Sequence, residues 1–323
     1  FRGRAKGSLE ADLQVVSRGG PFSMTAPSVD LEFGPHYLNG TYDLFRQGKL
    51  SGELGFAPFV PRENKGIKLL KFILLDVDIS VDANSLSFID VFTQNFNQMT
   101  VDGRGLVDGR LHMKKGRVLE GTNLSIDAKN IDVSVLSLNI EGQGAIDIGL
   151  GPETNGVLDL TVSYDGLLVT HEDDEEPLLK GRGLEFGMQG DGNLFRIEGE
   201  VDLSKKFSLD IDGLSVPDLA GFQRYLPEKW PLRLYGGNGD LQGRASVSID
   251  AANMDFRITS DAAEIGNNEY RFSTNLDVAL KSHNPALRTG PTFVSGSYIK
   301  ITDASLIREG ETESKPWHAE FVI

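Results

Sequence analysis

The sequence contains no cysteine among its 323 residues. This absence excludes a disulfide framework, thiol catalysis and any zinc site built on thiolates. Long apolar runs are also absent, since no run reaches the roughly 18 residues of a membrane-spanning helix. The first residues, Phe1 to Arg4, include neither an initiator methionine nor the hydrophobic core of a signal peptide. We therefore expect the chain to be a piece of a longer protein.

Basic residues are scarce relative to acidic ones. The chain has 32 Lys and Arg against 47 Asp and Glu, which gives a formal net charge of −15. Such a surface repels the phosphates of nucleic acids and of anionic lipid headgroups. We therefore expect no nucleic-acid partner. A hydrophobic content of 39% argues against an extended disordered chain.

Alternation of apolar and polar residues dominates the chain, and it is interrupted by abundant glycine, at 37 of 323 residues. Within residues 157–164, for example, Leu158, Leu160, Val162 and Tyr164 fall on one face of a strand, and polar residues fall on the other. This pattern is typical of an antiparallel sheet with one buried and one solvated face. The expected fold is therefore mainly β.

Two kinds of connection follow from the residues between these strands. Asp165-Gly166, followed by the apolar residues 167–169, predicts a tight hairpin turn. The acidic run His171–Glu176 could bind calcium weakly through its carboxylates, but it is more typical of a solvated hairpin loop. Arg308–Glu313 is a second acidic loop of the same kind.

Two segments have helical rather than strand spacing. Residues 216–226 predict a short helix with Ser215 as its N-cap and Pro217 in its first turn. Residues 85–99 carry apolar side chains at helical intervals, although some of them also suit a strand.

An internal repeat is the strongest signal of organisation. Asp76-Val-Asp78 is matched by Asp210-Ile-Asp212, and the glycine-rich string Gly103–Arg110 is matched by Gly237–Arg244, both 134 residues later. The spacing of these glycines is wrong for a dinucleotide-binding loop. They are instead expected either to bend strands or simply to form turns.

The repeat divides the chain into three predicted segments. Residues 1–66 are the tail of a preceding β module, residues 67–200 are a first β repeat module, and residues 201–323 are a second, truncated one. We expect elongated, curved antiparallel sheet modules in tandem, with a short helix in each repeat.

No constellation in the sequence predicts catalysis. Asp76 with Asp78, and Asp210 with Asp212, could be paired carboxylates, but they fall on the polar face of strands, where solvent exposure explains them. No serine lies in a Gly-x-Ser-x-Gly turn. The five histidines are scattered, at His36, His112, His171, His283 and His318. We therefore expect no enzymatic activity, no cofactor and no metal.

Several phrases of the sequence resemble a known family. Pro217–Pro227, followed by Gly236–Gly243 and an alternating strand, resembles modules of the AsmA-like and TamB-like superfamily of periplasmic β-groove proteins. Ser295–Leu306, followed by an acidic loop and Pro316-Trp317, is similar to another phrase of that family. The resemblance implies a protein of the periplasm, anchored to the inner membrane by a segment absent from this chain. It also implies that an apolar groove conducts phospholipid toward the outer membrane.

The function then depends on whether the apolar faces form an open groove or a closed core. An open groove predicts a non-catalytic segment that binds phospholipid acyl chains and supports lipid transport, with envelope proteins as partners. Closed cores predict a structural or adhesive β-repeat protein instead. A carbohydrate-active enzyme would need two close carboxylates, which no spacing selects. The candidate groove-lining residues are Leu138, Ile140, Ile146, Ile148, Leu158, Leu160, Val162, Phe272, Leu276 and Val278.

Overall fold

The structure of the chain is a computed structural model. It describes residues 2–15, 20–38, 42–64, 66–89, 100–135, 137–151, 157–190, 206–226, 233–248, 250–267, 269–284, 294–308 and 311–322. The fold is mainly β, with antiparallel pairing, which confirms the class that the alternation predicts. No helix among these residues is long and apolar enough to cross a membrane.

The described residues form eighteen strands and three short 3₁₀ helices. The strands are β1 (Arg2–Val15), β2 (Phe22–Leu38), β3 (Tyr42–Phe59), β4 (Ile73–Ala83), β5 (Thr100–Lys114), β6 (Arg117–Val118), β7 (Thr122–Val135), β8 (Leu138–Leu150), β9 (Leu158–His171), β10 (Leu179–Gly181), β11 (Leu184–Gly190), β12 (Lys206–Val216), β13 (Arg233–Gly236), β14 (Gly239–Val247), β15 (Ala252–Gly266), β16 (Arg271–Asn284), β17 (Tyr298–Arg308) and β18 (Glu311–Val322). The helices are Gly66–Phe72, Ser87–Ile89 and Leu219–Tyr225.

The chain divides into two compact units. Unit 1 comprises Phe1–Leu136, Gln143–Val162 and Met188–Lys205, and unit 2 comprises Ser137–Gly142, Ser163–Gly187 and Lys206–Ile323. The predicted module boundary after residue 66 falls within the helix Gly66–Phe72. The boundary after residue 200 lies outside the described residues.

Unit 1 is built on a meander of long strands. β1 to β5 pair consecutively and β7 pairs with β5. Directly opposite residues of antiparallel strands share a face. Val81, Val107 and Ile126 therefore lie in one row across β4, β5 and β7, and all three are buried. The residues that alternate with them along these strands, such as Asp108 on β5, are exposed. One face of this sheet is consequently apolar and covered.

Unit 2 is also an antiparallel meander. β12 pairs with β14, and β14 to β18 then pair consecutively. β10 joins the end of β9 to β12, and the short β13 pairs with β15. Its strands also alternate between an apolar and a polar face, so both units follow the pattern that the sequence predicts.

The predicted hairpin at Asp165-Gly166 is wrong. Strand β9 runs without interruption from Leu158 to His171. Gly166 does not have the positive φ that a tight hairpin turn requires. Instead, Tyr164 and Leu167 are both buried, so the inward positions change from even to odd numbers across Asp165 and Gly166. Two residues, Asp165 and Gly166, therefore separate successive buried positions where regular alternation has one. A β-bulge has the same effect on a continuous strand.

The predicted helix over residues 216–226 begins later than expected, and its cap is different. Ser215 and Val216 belong to strand β12, and a 3₁₀ helix occupies Leu219–Tyr225. Its N-cap is Asp218, whose Oδ1 accepts a hydrogen bond of 2.9 Å from the amide of Ala220. A capping carboxylate three residues nearer the helix therefore replaces Ser215 as the start signal.

The second predicted helix is described only in part. Ser87–Ile89 forms a single 3₁₀ turn, and residues 90–99 lie outside the described residues. Ser85 precedes this turn, and its hydroxyl donates to Asp102 at 2.9 Å.

Candidate functional site

The apolar face of unit 2 forms a continuous row across its last five long strands. Consecutive members of this row are direct cross-strand partners in the register of β14 to β18. The row consists of Leu241, Ile258, Val278, Ile299 and Phe321. Because direct partners share a face, these five side chains line one surface.

Exposure along this face is graded. Val247, Met254, Leu280 and Phe321 are exposed by 40%, 37%, 42% and 57% respectively. We call these four residues the open end of the face. They lie near the end of β14, the start of β15 and the ends of β16 and β18. The open end is therefore an apolar surface left in contact with water.

The same face is covered farther along the strands. Leu276 lies across from Ser260 and from Ile301, and all three are buried. Beyond them, Phe272 contacts Trp317 edge-on, with 5.6 Å between the ring centroids. The face is thus covered around Leu276 and exposed at the open end, and Trp317, beyond Phe272, is again 40% exposed.

The alternation of β15 explains how one strand supplies both surfaces. Met254 and Phe256 lie on the apolar face, whereas Asp255 and Arg257 lie on the polar one, because side chains of a strand alternate. The Arg257 guanidinium donates two hydrogen bonds of 2.8 Å to the carboxylate of Asp277 on β16. These bonds tie the two strands together on the polar side.

The electrostatics of the polar side follow from this pair. Donation from Arg257 holds the pKa of the Asp277 carboxyl below its ordinary value, against a smaller opposing effect of partial burial. The Tyr298 hydroxyl adds longer hydrogen bonds to Asp277, at 3.3 and 3.2 Å. The pKa of Arg257 is raised for the reciprocal reason. The charged side chains of this ion pair therefore lie on the polar face. The apolar row from Leu241 to Phe321 on the opposite face contains no charged residue.

Three of the predicted groove residues lie on this apolar face. Phe272, Leu276 and Val278 share one side of β16, so the structure brings them together as the alternation predicts. Leu138 and Ile140, which also belong to unit 2, are half-buried on β8.

The other five predicted groove residues belong to unit 1 and are between 0 and 5% exposed. They are Ile146 and Ile148 on β8, and Leu158, Leu160 and Val162 on β9. Side chains covered to this degree can touch a ligand only if their neighbours move.

The sequence reasoning did not select the most exposed part of the face. Met254, Phe256, Ile299 and Phe321 were not proposed as groove residues, although Met254, Phe256 and Ile258 alternate within β15. The alternation was therefore a usable signal. Which of the alternating residues stay uncovered depends on strand register and length, which the pattern does not encode.

The candidate carboxylates do not form a catalytic pair. Arg110 donates hydrogen bonds of 2.8 and 3.0 Å to Asp76, which holds the pKa of Asp76 below its ordinary value. Asp78, Asp210 and Asp212 are exposed on strands β4 and β12. An ion pair therefore accounts for Asp76.

The histidines and the acidic run that starts at His171 were the remaining candidates for metal binding. In the part of the chain that the structure describes, no group of three or more histidines and carboxylates is placed to hold a metal ion. The side chain of His36 lies outside the described residues. Residues after His171 form the turn that leads to β10, and Asp174 in this turn pairs with Arg224. The acidic run is thus a loop at the end of β9.

Comparison with known proteins gives no relative: no family profile, no curated protein and no solved structure matches this chain.

Proposed function

We propose that this chain is a non-catalytic β-repeat segment of a periplasmic, membrane-anchored envelope protein of the AsmA-like kind. In this proposal, the apolar face of unit 2 binds phospholipid acyl chains. The segment thereby supports phospholipid transport between the inner and outer membranes. The sequence phrases that resemble the AsmA-like family are the basis for the compartment and for transport between the two membranes.

The open end of unit 2 is the observation that carries this proposal. Four large apolar side chains, Val247, Met254, Leu280 and Phe321, are exposed on one face and continue into a row of apolar partners. Each methylene that leaves water for such a surface contributes about 0.8 kcal/mol. An acyl chain lying on this face would gain that energy without any charged contact.

We also infer that the two long meanders contain copies of one curved module. Gly103 and Gly237 occupy matching repeat positions, and both have positive φ, at 137° and 100°. Gly109 and Gly243 likewise match, with φ of 138° and 150°. A Cβ on any of these four would lie 1.9 to 2.3 Å from a carbonyl oxygen of the next strand. The matched glycines thus permit the same close strand approach in both copies.

The short helices support the same inference. Leu86 donates its amide proton to the carbonyl of Gly103 at 3.1 Å, and Leu219 donates to the carbonyl of Gly237 at 2.7 Å. Each of these residues lies at or just before a 3₁₀ turn, between the two strands of the matched pair. A turn held against the first glycine therefore recurs in both proposed modules.

A structural or adhesive β-repeat protein is the second candidate, and the burial in unit 1 favours it. Ile126, Ile146, Ile148 and Leu160 are at most 1% exposed, as they would be in a closed hydrophobic core. In that case the exposed residues of unit 2 would be a protein contact surface rather than a lipid site.

Photo-crosslinking in cells tests the lipid proposal. A benzophenone residue in place of Leu280 should capture phospholipid, whereas one in place of its neighbour Lys281 on the polar face should not. Labelling should weaken at the covered Leu276 and weaken further at Leu160, with Asp159 as the polar control for Leu160. Equal labelling at Leu280 and Lys281, or none at either, would contradict the proposal.

Mass spectrometry of a chloroform extract of the purified chain separates the two candidates. Lipid binding predicts phospholipid that is retained by the wild type and reduced in Met254→Ser and Phe321→Ser. Leu106→Ser is the matched control, because the exposure of Leu106, at 46%, lies between those of Met254 and Phe321 but the residue belongs to the polar face of β5. Extracts without lipid would favour the structural role.

A further inference from the structure

The two bidentate arginine–aspartate pairs described above obey one geometric rule. Arg257 on β15 bonds to Asp277, which lies directly opposite Thr259, two residues after the arginine. Arg110 on β5 bonds to Asp76, which lies directly opposite His112, again two residues after the arginine. In both cases the arginine reaches diagonally along the sheet. Diagonal neighbours are within reach of long side chains.

A carboxylate directly opposite the arginine does not take the place of the diagonal carboxylate as its hydrogen-bond partner. Arg110 lies directly across from Asp78, yet both hydrogen bonds of its guanidinium go to Asp76. Asp78 is exposed on the same strand. A carboxylate at the diagonal position is therefore what closes the ion pair on these sheets.

Arg244 on β14 lacks a carboxylate at that position. It lies directly opposite Asp210, and the residue opposite Ser246, two positions after the arginine, is Ser208. A register shift between Ile211 and Leu214, next to Gly213 with φ of 106°, accompanies this arrangement. In the register of unit 1, Asp212 would face Arg244 and Asp210 would take the diagonal place.

The other neighbour strand of Arg244 does not supply a partner either. Asp255 on β15 lies directly opposite Arg244, but it pairs with Lys281 at 3.2 Å. The residue opposite Ser246 on β15 is Asn253, which carries no charge. Among the side chains that the structure describes, none forms an ion pair or a hydrogen bond with the Arg244 guanidinium.

Arg244 borders a depression on the polar face of unit 2, with a volume of about 420 Å³. The charged residues that line it are Asp210, Asp212, Arg244, Asp255, Arg257 and Lys281. Arg257 and Lys281 already have carboxylate partners. The charges left over are the guanidinium of Arg244 and the carboxylates of Asp210 and Asp212, which have no side-chain partner among the described residues.

We propose that this depression binds a small zwitterion that carries a phosphate and a primary ammonium group. The guanidinium of Arg244 would hold the phosphate, because its planar pair of donors matches phosphate oxygens. Asp210 and Asp212 would accept the ammonium group. They also disfavour a plain anion, since a carboxylate lies directly opposite Arg244. This site lies on the polar face, so it is independent of the acyl-chain proposal.

Titration with O-phosphoethanolamine, followed by the backbone amide resonances of β14 and β15, tests this proposal. Saturable shifts should centre on Gln242, Gly243 and Arg244. Inorganic phosphate alone and ethanolamine alone should each bind at least about tenfold more weakly, because each satisfies half of the site. Vesicles with and without phosphatidylethanolamine then distinguish a free zwitterion from a lipid headgroup.

Ser208→Asp is the decisive variant, since it restores the diagonal carboxylate while it keeps Arg244. It should close the ion pair and reduce the affinity for phosphoethanolamine at least about tenfold, as should Arg244→Gln. Ser208→Asn controls for the change in size, and Arg104→Gln, on the polar face of β5, controls for the loss of an exposed arginine.

Three outcomes would overturn the proposal. One is unaltered binding in Ser208→Asp, the second is phosphate binding as tightly as phosphoethanolamine, and the third is the absence of saturable shifts in wild type. A folded variant is recognised by amide resonances that match those of wild type outside β12, β14 and β15.

Discussion

The apolar faces of the two units differ in how much of them meets water. Among the described residues, Leu106 is the exposed large hydrophobic side chain of unit 1, and it lies on the polar face. On the apolar face of unit 2, by contrast, five large side chains that the structure describes are exposed: Val247, Met254, Leu280, Trp317 and Phe321. The same alternation of residues therefore produces a covered face in one unit and a partly open one in the other.

This difference shows that the pattern which forms a strand does not determine whether the apolar face of that strand is covered. Periodicity decides which residues share a face. Whether that face is then sealed depends on what the fold places over it. We attribute stability mainly to the covered face of unit 1 and ligand contact to the open end of unit 2.

Truncating one apolar residue in each unit gives the largest expected contrast. Ile126→Ala in unit 1 should lower the free energy of unfolding by about 3 to 4 kcal/mol, because it leaves a cavity where the side chain is fully buried. Leu280→Ala in unit 2 should cost less than about 1 kcal/mol, because that side chain is already partly in water. Urea unfolding of both variants measures these losses, and equal losses would remove the distinction between the units.

Glycine substitutions test where the two units should behave alike. Gly109→Ala and Gly243→Ala should each cost about 2 to 3 kcal/mol, because positive φ is combined with a Cβ that would meet a carbonyl oxygen at 1.9 and 2.3 Å. Gly213→Ala has positive φ but no atom within 4 Å of the added Cβ, so about 1 kcal/mol is expected. Thermal unfolding of the three variants compares them, and a loss at only one of the matched glycines would argue against repeated modules.

The ion pair on the polar face of unit 2 should have a small effect that depends on pH. Asp277→Asn should cost about 1 kcal/mol or less near neutral pH, because both partners are partly exposed. The pKa of Asp277 is lowered in the fold. Its contribution is therefore present above the unfolded pKa of about 3.9 and is lost as the pH falls through the lower folded value. Unfolding midpoints of wild type and variant should converge as the pH falls below the folded pKa of Asp277, and a difference that grows in acid would contradict this assignment.

The sequence predicts the class of this fold better than its details. Alternation identified the strands of both units, and the matched glycines Gly109 and Gly243 were found from spacing alone. The dipeptide Asp165-Gly166 misled because the same residues suit a hairpin turn and a bulge, and the pairing of β9 with its neighbours decides between them. The helix cap was mispredicted because of strand pairing as well. Ser215 is paired within β12, so the helix begins later and Asp218 caps it.

The candidate site was only partly predictable. Phe272, Leu276 and Val278 were correctly placed on one face, because their spacing is local. The exposure of Met254 and Phe321 depends on where neighbouring strands end, and the unpaired state of Arg244 depends on the register of β12 against β14, which places Ser208 at the diagonal position. Both are non-local properties that a single sequence does not display.

The absence of cysteine allows one clean measurement of whether the apolar face of unit 2 is open to acyl chains. Single cysteines at Leu280, Ile148 and Lys281 can be compared by their rates of reaction with a small maleimide, with and without added phospholipid. We predict that Leu280→Cys reacts much faster than Ile148→Cys, and that phospholipid slows Leu280→Cys but leaves Lys281→Cys unchanged. Equal rates at Leu280 and Ile148, or no protection of Leu280→Cys by phospholipid, would contradict an open apolar face that binds lipid.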